Sequence, residues 1–124
     1  MGFKKLLAYK KAFELSMIIF EISKSFPKSE TYSLTDQIRR CSRSVCSNMA
    51  EAYRKRRYPK HFTSKLTDSD AENSETSVWI EFALECQYIS KDIYNDLDKR
   101  NIEVGKLINN MIKNPTKFGV KNID

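Results

Sequence analysis

The chain has 124 residues and carries 22 Lys and Arg against 16 Asp and Glu, a net charge of +6. That length suits a single domain, which on folding hides roughly two thirds of the surface its unfolded chain exposes. With only 3 Gly and 3 Pro and no alternating run of β-branched residues, an all-β fold is excluded and long helices are expected.

From Phe3 to Ser25, Leu6, Phe13 and Phe20 recur at seven-residue intervals, and Tyr9, Ala12, Leu15, Met17, Ile19 and Ile22 widen the apolar stripe. The pattern predicts a helix with a broad buried face. Phe26-Pro27 ends it, because proline disfavours helical geometry in the residue before it. Ser33-Leu34-Thr35-Asp36 reads as an N-cap with an acidic first turn. Beyond it Leu34, Ile38, Cys41, Val45, Asn48 and Ala52 alternate steps of four and three, the seam of a packed helix. Tyr58-Pro59 breaks that run and Pro59 opens the next helix at its first position. There the seam is Phe62, Leu66, Ser69, Asn73, Thr76, Ile80, Ala83 and Gln87, polar over its first half.

Ser90-Lys91-Asp92 is a further cap, followed by a helix carrying Ile93, Leu97, Val104, Leu107, Ile108, Met111 and Ile112, interrupted by Gly105 and stopped at Asn114-Pro115. The predicted organisation is one all-α domain over 1–124, with helices at about 3–25, 33–57, 59–89 and 91–113 and a loose tail from 114 to 124. Short connectors make neighbouring helices antiparallel, so the expected architecture is an up-down-up-down four-helix bundle. The polar seam residues predict a buried hydrogen-bonded layer that fixes helix register, with Asn48, Glu51, Asn73 and Glu75 as its polar core.

Chemistry is expected to be sparse. Cys41, Cys46 and Cys86 are odd in number and lack C-x-x-C spacing, so a disulfide framework or zinc site is not predicted, and inert reduced thiols in a cytoplasmic protein are. Di-iron bundles need Glu-x-x-His pairs. The one histidine, His61, has no glutamate three residues before it. Glu51 and Glu75 are expected to pair with arginines such as Arg39 or Arg43, or to hydrogen-bond to Asn48 and tyrosine side chains, since buried charges are normally paired. With no acid–base pair, metal cluster or phosphate loop, no catalytic residue, metal or cofactor is predicted, and the chain is read as a non-enzyme with no small-molecule substrate. Its longest apolar run, Met17 to Phe20, is far too short to span a membrane.

Charge placement is the informative feature. Asp36 to Lys65 holds nine cations against two carboxylates, whereas Leu66 to Glu103 holds ten carboxylates against three cations. Arg54-Lys55-Arg56-Arg57 with Tyr53, Tyr58, Lys60, His61 and Phe62 sets cations beside aromatics at the second turn, as phosphate contact and base stacking require. Arg39, Arg40, Arg43, Arg54, Lys55, Arg56, Arg57 and Lys60 are therefore the candidate nucleic-acid contacts. The bland reading is a helix end made basic by its own dipole. A third is that the basic face of one copy meets the acidic face of the next in a head-to-tail ring.

Gln37-Ile38-Arg39-Arg40-Cys41-Ser42-Arg43-Ser44-Val45-Cys46-Ser47-Asn48-Met49-Ala50-Glu51-Ala52-Tyr53-Arg54 resembles the bacterial four helix bundle protein family, also called ribosomal RNA intervening-sequence proteins. Phe26-Pro27, Glu30, Tyr32 and Leu34 before it, and Phe62, Leu66 and Glu75 after it, extend the likeness over about residues 5 to 113. The resemblance implies a homopentamer associated with RNA or DNA, and supplies no catalytic residue. A related retroelement accessory protein is a basic, nucleic-acid-binding pentamer. Ala52 stands where the family usually has glycine. Ala71-Glu72 stands where many members have Gly-Ser, which makes the third helix more acidic and speaks against RNA on that face. The rival function is a protein-interaction or scaffold module whose charged faces make the subunit interface.

Overall fold

Each break in the helical pattern has a local cause in the computed structural model, which describes residues 2–121. After a 3-10 turn at Gly2–Lys5, four α-helices follow among the described residues: α1 (Leu7–Ser23), α2 (Leu34–Arg54), α3 (Pro59–Glu85) and α4 (Lys91–Lys113). Consecutive helices pack on one another and α4 returns to α1, which closes an up-down-up-down bundle.

The cap of α2 differs from expectation. Ser33 makes no capping bond to the helix; its hydroxyl donates instead to Glu30 Oε1 at 2.6 Å, and that same oxygen accepts from the Leu34 amide at 3.2 Å. Glu30 also accepts from the Tyr88 hydroxyl at 2.8 Å, which ties the first connector to the third. A carboxylate three residues outside the cap position does the work that the sequence assigns to serine.

Helices α2 and α3 both end earlier than the apolar pattern predicts. At α2 the chain leaves helical geometry at Lys55, because Tyr58 must be extended ahead of Pro59 (φ −118°, ψ 91°). At α3, Gln87 adopts φ +64°, with its amide donating to Leu84 O at 2.9 Å and the Tyr88 amide to Ala83 O at 2.9 Å. These paired bonds are the usual left-handed helix ending, built here on glutamine where glycine is the common choice. Gln87 is consequently exposed rather than part of the α3 seam. α4 starts at Ser90, whose Oγ accepts from the Ile93 amide at 3.2 Å.

The chain after α4 is not loose up to residue 121. Pro115–Phe118 forms a 3-10 turn, Gly119 turns the backbone at φ +90°, and Val120 is buried beside the bundle. Residues 122–124, the remainder of the predicted tail, lie outside the described residues.

Ala12, Leu15 and Ile19 of α1, Ile38, Val45 and Met49 of α2, Phe62, Leu66 and Ile80 of α3, and Leu97, Val104 and Ile108 of α4 fill the centre. Two expectations about it need correction. In α2 the step after Val45 is four, so Met49 is fully buried and Asn48 turns half outward, bonding Ser44 O at 2.9 Å and accepting from Lys65 Nζ at 3.4 Å. Glu51 and Glu75 are also on the surface, where Glu51 pairs with Lys65 at 2.9 Å and Glu75 accepts from the Trp79 indole at 3.2 Å. Neither meets Arg39 or Arg43, because the cation that α3 sets against Glu51 is Lys65 and not an arginine. Of the four proposed polar-core residues only Asn73 is buried.

A polar layer exists nonetheless, built from other partners. Ser69 donates to Val45 O at 2.7 Å, and Thr76 to Glu72 O at 2.9 Å and Cys41 Sγ at 3.2 Å. Asn73 and Asn101 form a reciprocal pair: each side-chain amide donates to the other residue's backbone carbonyl at 3.0 Å, and Asn101 also reaches Asn73 Oδ1. Among the described residues no buried side-chain polar atom lacks a partner, so the layer fixes register without an unmet desolvation cost. Gly105 belongs to this layer, since a Cβ there would lie 3.3 Å from Asn73 Nδ2.

Candidate nucleic-acid interface

The end of α2 sets Arg54 on its last turn, and the three residues that follow fold back before Pro59. Arg54, Arg56 and Arg57 line one open cleft of about 630 Å³ with Tyr53, Phe3, Gly2 and Gly119. Arg56 is the most constrained of them. Its guanidinium lies 3.6 Å above the Tyr53 ring, Nε donates to Tyr53 O at 2.8 Å, and Nη1 donates to Phe118 O at 3.2 Å. A Cβ at Gly119 would come within 2.5 Å of that same Nη1, so glycine is needed there for close approach as well as for its positive φ. Arg56 thus clamps the C-terminal segment, with two of its five N–H donors committed to carbonyls. Arg54 and Arg57 are exposed on either side of it.

The eight predicted cations do not form one patch. Arg39 donates from Nε to Ser23 Oγ at 2.8 Å, and its guanidinium sits 4.9 Å from the centre of the Phe20 ring, which Arg43 approaches at 5.7 Å and Lys24 at 4.9 Å. This station on the α1 side is separated from Arg54 by eleven residues of helix beyond Arg43, about 16 Å of rise. Arg40 and Lys60 are exposed, and Lys55 is half-buried at the turn. Tyr58 and His61 stack at 5.6 Å beside Lys60.

Ion pairing distinguishes these cations from the rest. Every salt bridge among the described residues uses Lys11, Lys24, Lys65 or Arg100, and none of the eight candidates is neutralised by a carboxylate. Carboxylates gather on α3 instead, where burial, together with Glu75 and Asp68, raises the Glu72 pKa above its ordinary value. The charge asymmetry of the sequence therefore survives in three dimensions. Phe3, Phe20, Phe118 and Gly119 escaped the sequence reading of the site. Only Phe20, one helical turn before Lys24, had a local signal; the other approaches are tertiary.

The buried thiols are poor nucleophiles. Burial pushes Cys41 and Cys46 up to about 11, while Cys86, expected in the core, is exposed at the end of α3. Among the described residues no three His, Cys, Asp or Glu converge as metal ligands, and no helix is long and apolar enough to cross a membrane.

Fold and site together define an all-α, four-helix bundle protein with an unneutralised basic corner. The chain belongs to the 23S rRNA-intervening sequence protein family, whose model matches residues 4–110. It is similar to a crystal structure of a protein of unknown function from the S23 ribosomal protein family of Bacteroides thetaiotaomicron, with 25% identity and a TM-score of 0.78 over 86% of this chain and 96% of that one. No functionally curated protein matches it.

Proposed function

We propose that this chain is a non-enzymatic, cytoplasmic, homo-oligomeric protein that binds RNA or DNA through the basic turn between α2 and α3, with the homopentamer its resemblance implies as the working assembly. The observation that carries the reading is the unpaired state of the turn's cations: Arg54, Arg57, Lys55 and Lys60 make no ion pair among the described residues while Lys65, five residues on, makes two. Cations left free beside Tyr53, Tyr58 and His61 provide phosphate contact and stacking surface together. Arg54 and Arg57 are the phosphate contacts, and Arg56 holds the cleft in shape. The family's name, a 23S rRNA-intervening sequence protein, is in keeping with an RNA ligand.

Fluorescence anisotropy with labelled single-stranded and duplex RNA tests this on the wild type and an Arg54→Glu/Arg57→Glu variant. Both substituted residues are exposed, so the variant is expected to fold and assemble normally while its affinity falls at least tenfold. Equal affinity in the two proteins, or no binding by the wild type at low salt, would refute the reading.

A further inference from the structure

Two apolar faces remain uncovered on the molecule, and their surroundings carry opposite charge. The first lies along α1. Phe13 and Met17 are 50% and 46% exposed, Tyr9 stacks on Phe13 at 6.0 Å, and a groove of about 350 Å³ runs between them and α2, with Arg43 in its wall. Phe20, one turn further along, carries Arg39, Arg43 and Lys24 around its ring. The carboxylates that flank this stripe on α1 are both paired, Glu14 with Arg100 and Glu21 with Lys24 at 3.2 Å.

The second face lies between the start of α2 and the end of α3. Tyr32 is 94% and Phe82 53% exposed, Trp79 stacks on Phe82 at 5.6 Å, and Glu30 lines their groove of about 520 Å³. Glu75 bonds the Trp79 indole, and Glu72 lies one turn back on the same stripe of α3. Exposed aromatics clustered in this way mark interaction surfaces rather than ordinary scatter.

We infer that these faces are each other's ligand, the α1 face of one copy docking on the Tyr32/Trp79/Phe82 face of the next. The inference rests on the assembly proposed above and names its contact. Like-on-like pairing would set Arg43 against Arg43 or Glu75 against Glu75, whereas the cross pairing brings opposite rims together around an aromatic centre. The faces lie on neighbouring sides of the square bundle, one between α1 and α2 and the other between α2 and α3. Each added copy is therefore turned relative to the last, and the contact is heterologous, repeating head to tail from copy to copy.

Phe13→Glu and Phe82→Arg each spoil one face and leave the other intact. Light scattering on size-fractionated protein is expected to give the mass of a multimer for the wild type and of one chain for either variant. An equimolar mixture of the two variants, which retains one good contact per pair, is expected to give the mass of two chains and no more. That mixture also shows that both variants are folded. Variants that assemble like the wild type, or a mixture that stays at one chain, would overturn the inference and leave the proposed assembly and nucleic-acid binding standing. A wild type of single-chain mass would overturn the inference and the assembly together, with RNA binding judged by its own experiment.

Discussion

Individual side chains carry tests of their own. Glu30 accepts hydrogen bonds from Ser33, Tyr88 and the Leu34 amide, which hold its pKa below the ordinary 4.5, and the same contact pushes the Tyr88 hydroxyl up to about 12. A depressed carboxylate contributes stability that is complete above its unfolded pKa and is lost as pH falls through the folded one. A raised phenol contributes stability present below pH 10 and lost as pH climbs through the folded value. Wild type and Glu30→Gln are therefore expected to differ in stability at neutral pH and to converge only in acid, as pH falls from 4.5 through the lower folded value; urea unfolding across pH reads this, and parallel curves would contradict it. A second test uses the thiols. With Cys41 and Cys46 buried and raised, and Cys86 exposed, a thiol reagent at neutral pH is expected to modify Cys86 rapidly and the other two only on unfolding.

At the scale of helices, the α2 seam separates two neighbouring positions sharply. Met49→Ala empties a fully buried site and is expected to cost about 2–5 kcal/mol, whereas Asn48→Ala, at a half-exposed site, stays within about 0.5 kcal/mol. Asn101→Ala removes both side-chain bonds to Asn73 and strands buried acceptors, for a loss of about 1–3 kcal/mol. Chemical denaturation of the three variants ranks them, and an Asn48 effect equal to that of Met49 would restore the four-three register that the sequence predicts.

That register shows what the sequence could and could not reveal. Helix number, order and the Pro59 start were legible because proline and apolar periodicity are local signals. The choice between Asn48 and Met49 was not, since steps of three and four both satisfy the pattern and only the neighbouring helices decide. Leu6, Phe13 and Phe20 marked a real stripe on α1, but the core lies one position over, on Ala8, Ala12, Leu15 and Ile19. The seven-residue repeat was reading an outer face. The basic turn was visible as composition, yet the commitment of Arg56 to Phe118 O depends on a residue 62 positions away and leaves no local trace.

In the whole molecule charge is the organising quantity: among the described residues the cations of α2 and its turn form no ion pair, and carboxylates collect on α3 and α4. The binding of nucleic-acid phosphates by the cations of the α2–α3 turn, as proposed, has a quantitative signature in counterion release. The most direct measurement is the affinity of the wild-type protein for single-stranded RNA over a series of salt concentrations. With Arg54, Arg57, Lys55 and Lys60 engaged, log affinity is expected to fall against log salt with a slope of about −3, roughly 0.7 per phosphate contact. A slope near zero, or an affinity too weak to measure at low salt, would contradict the proposal.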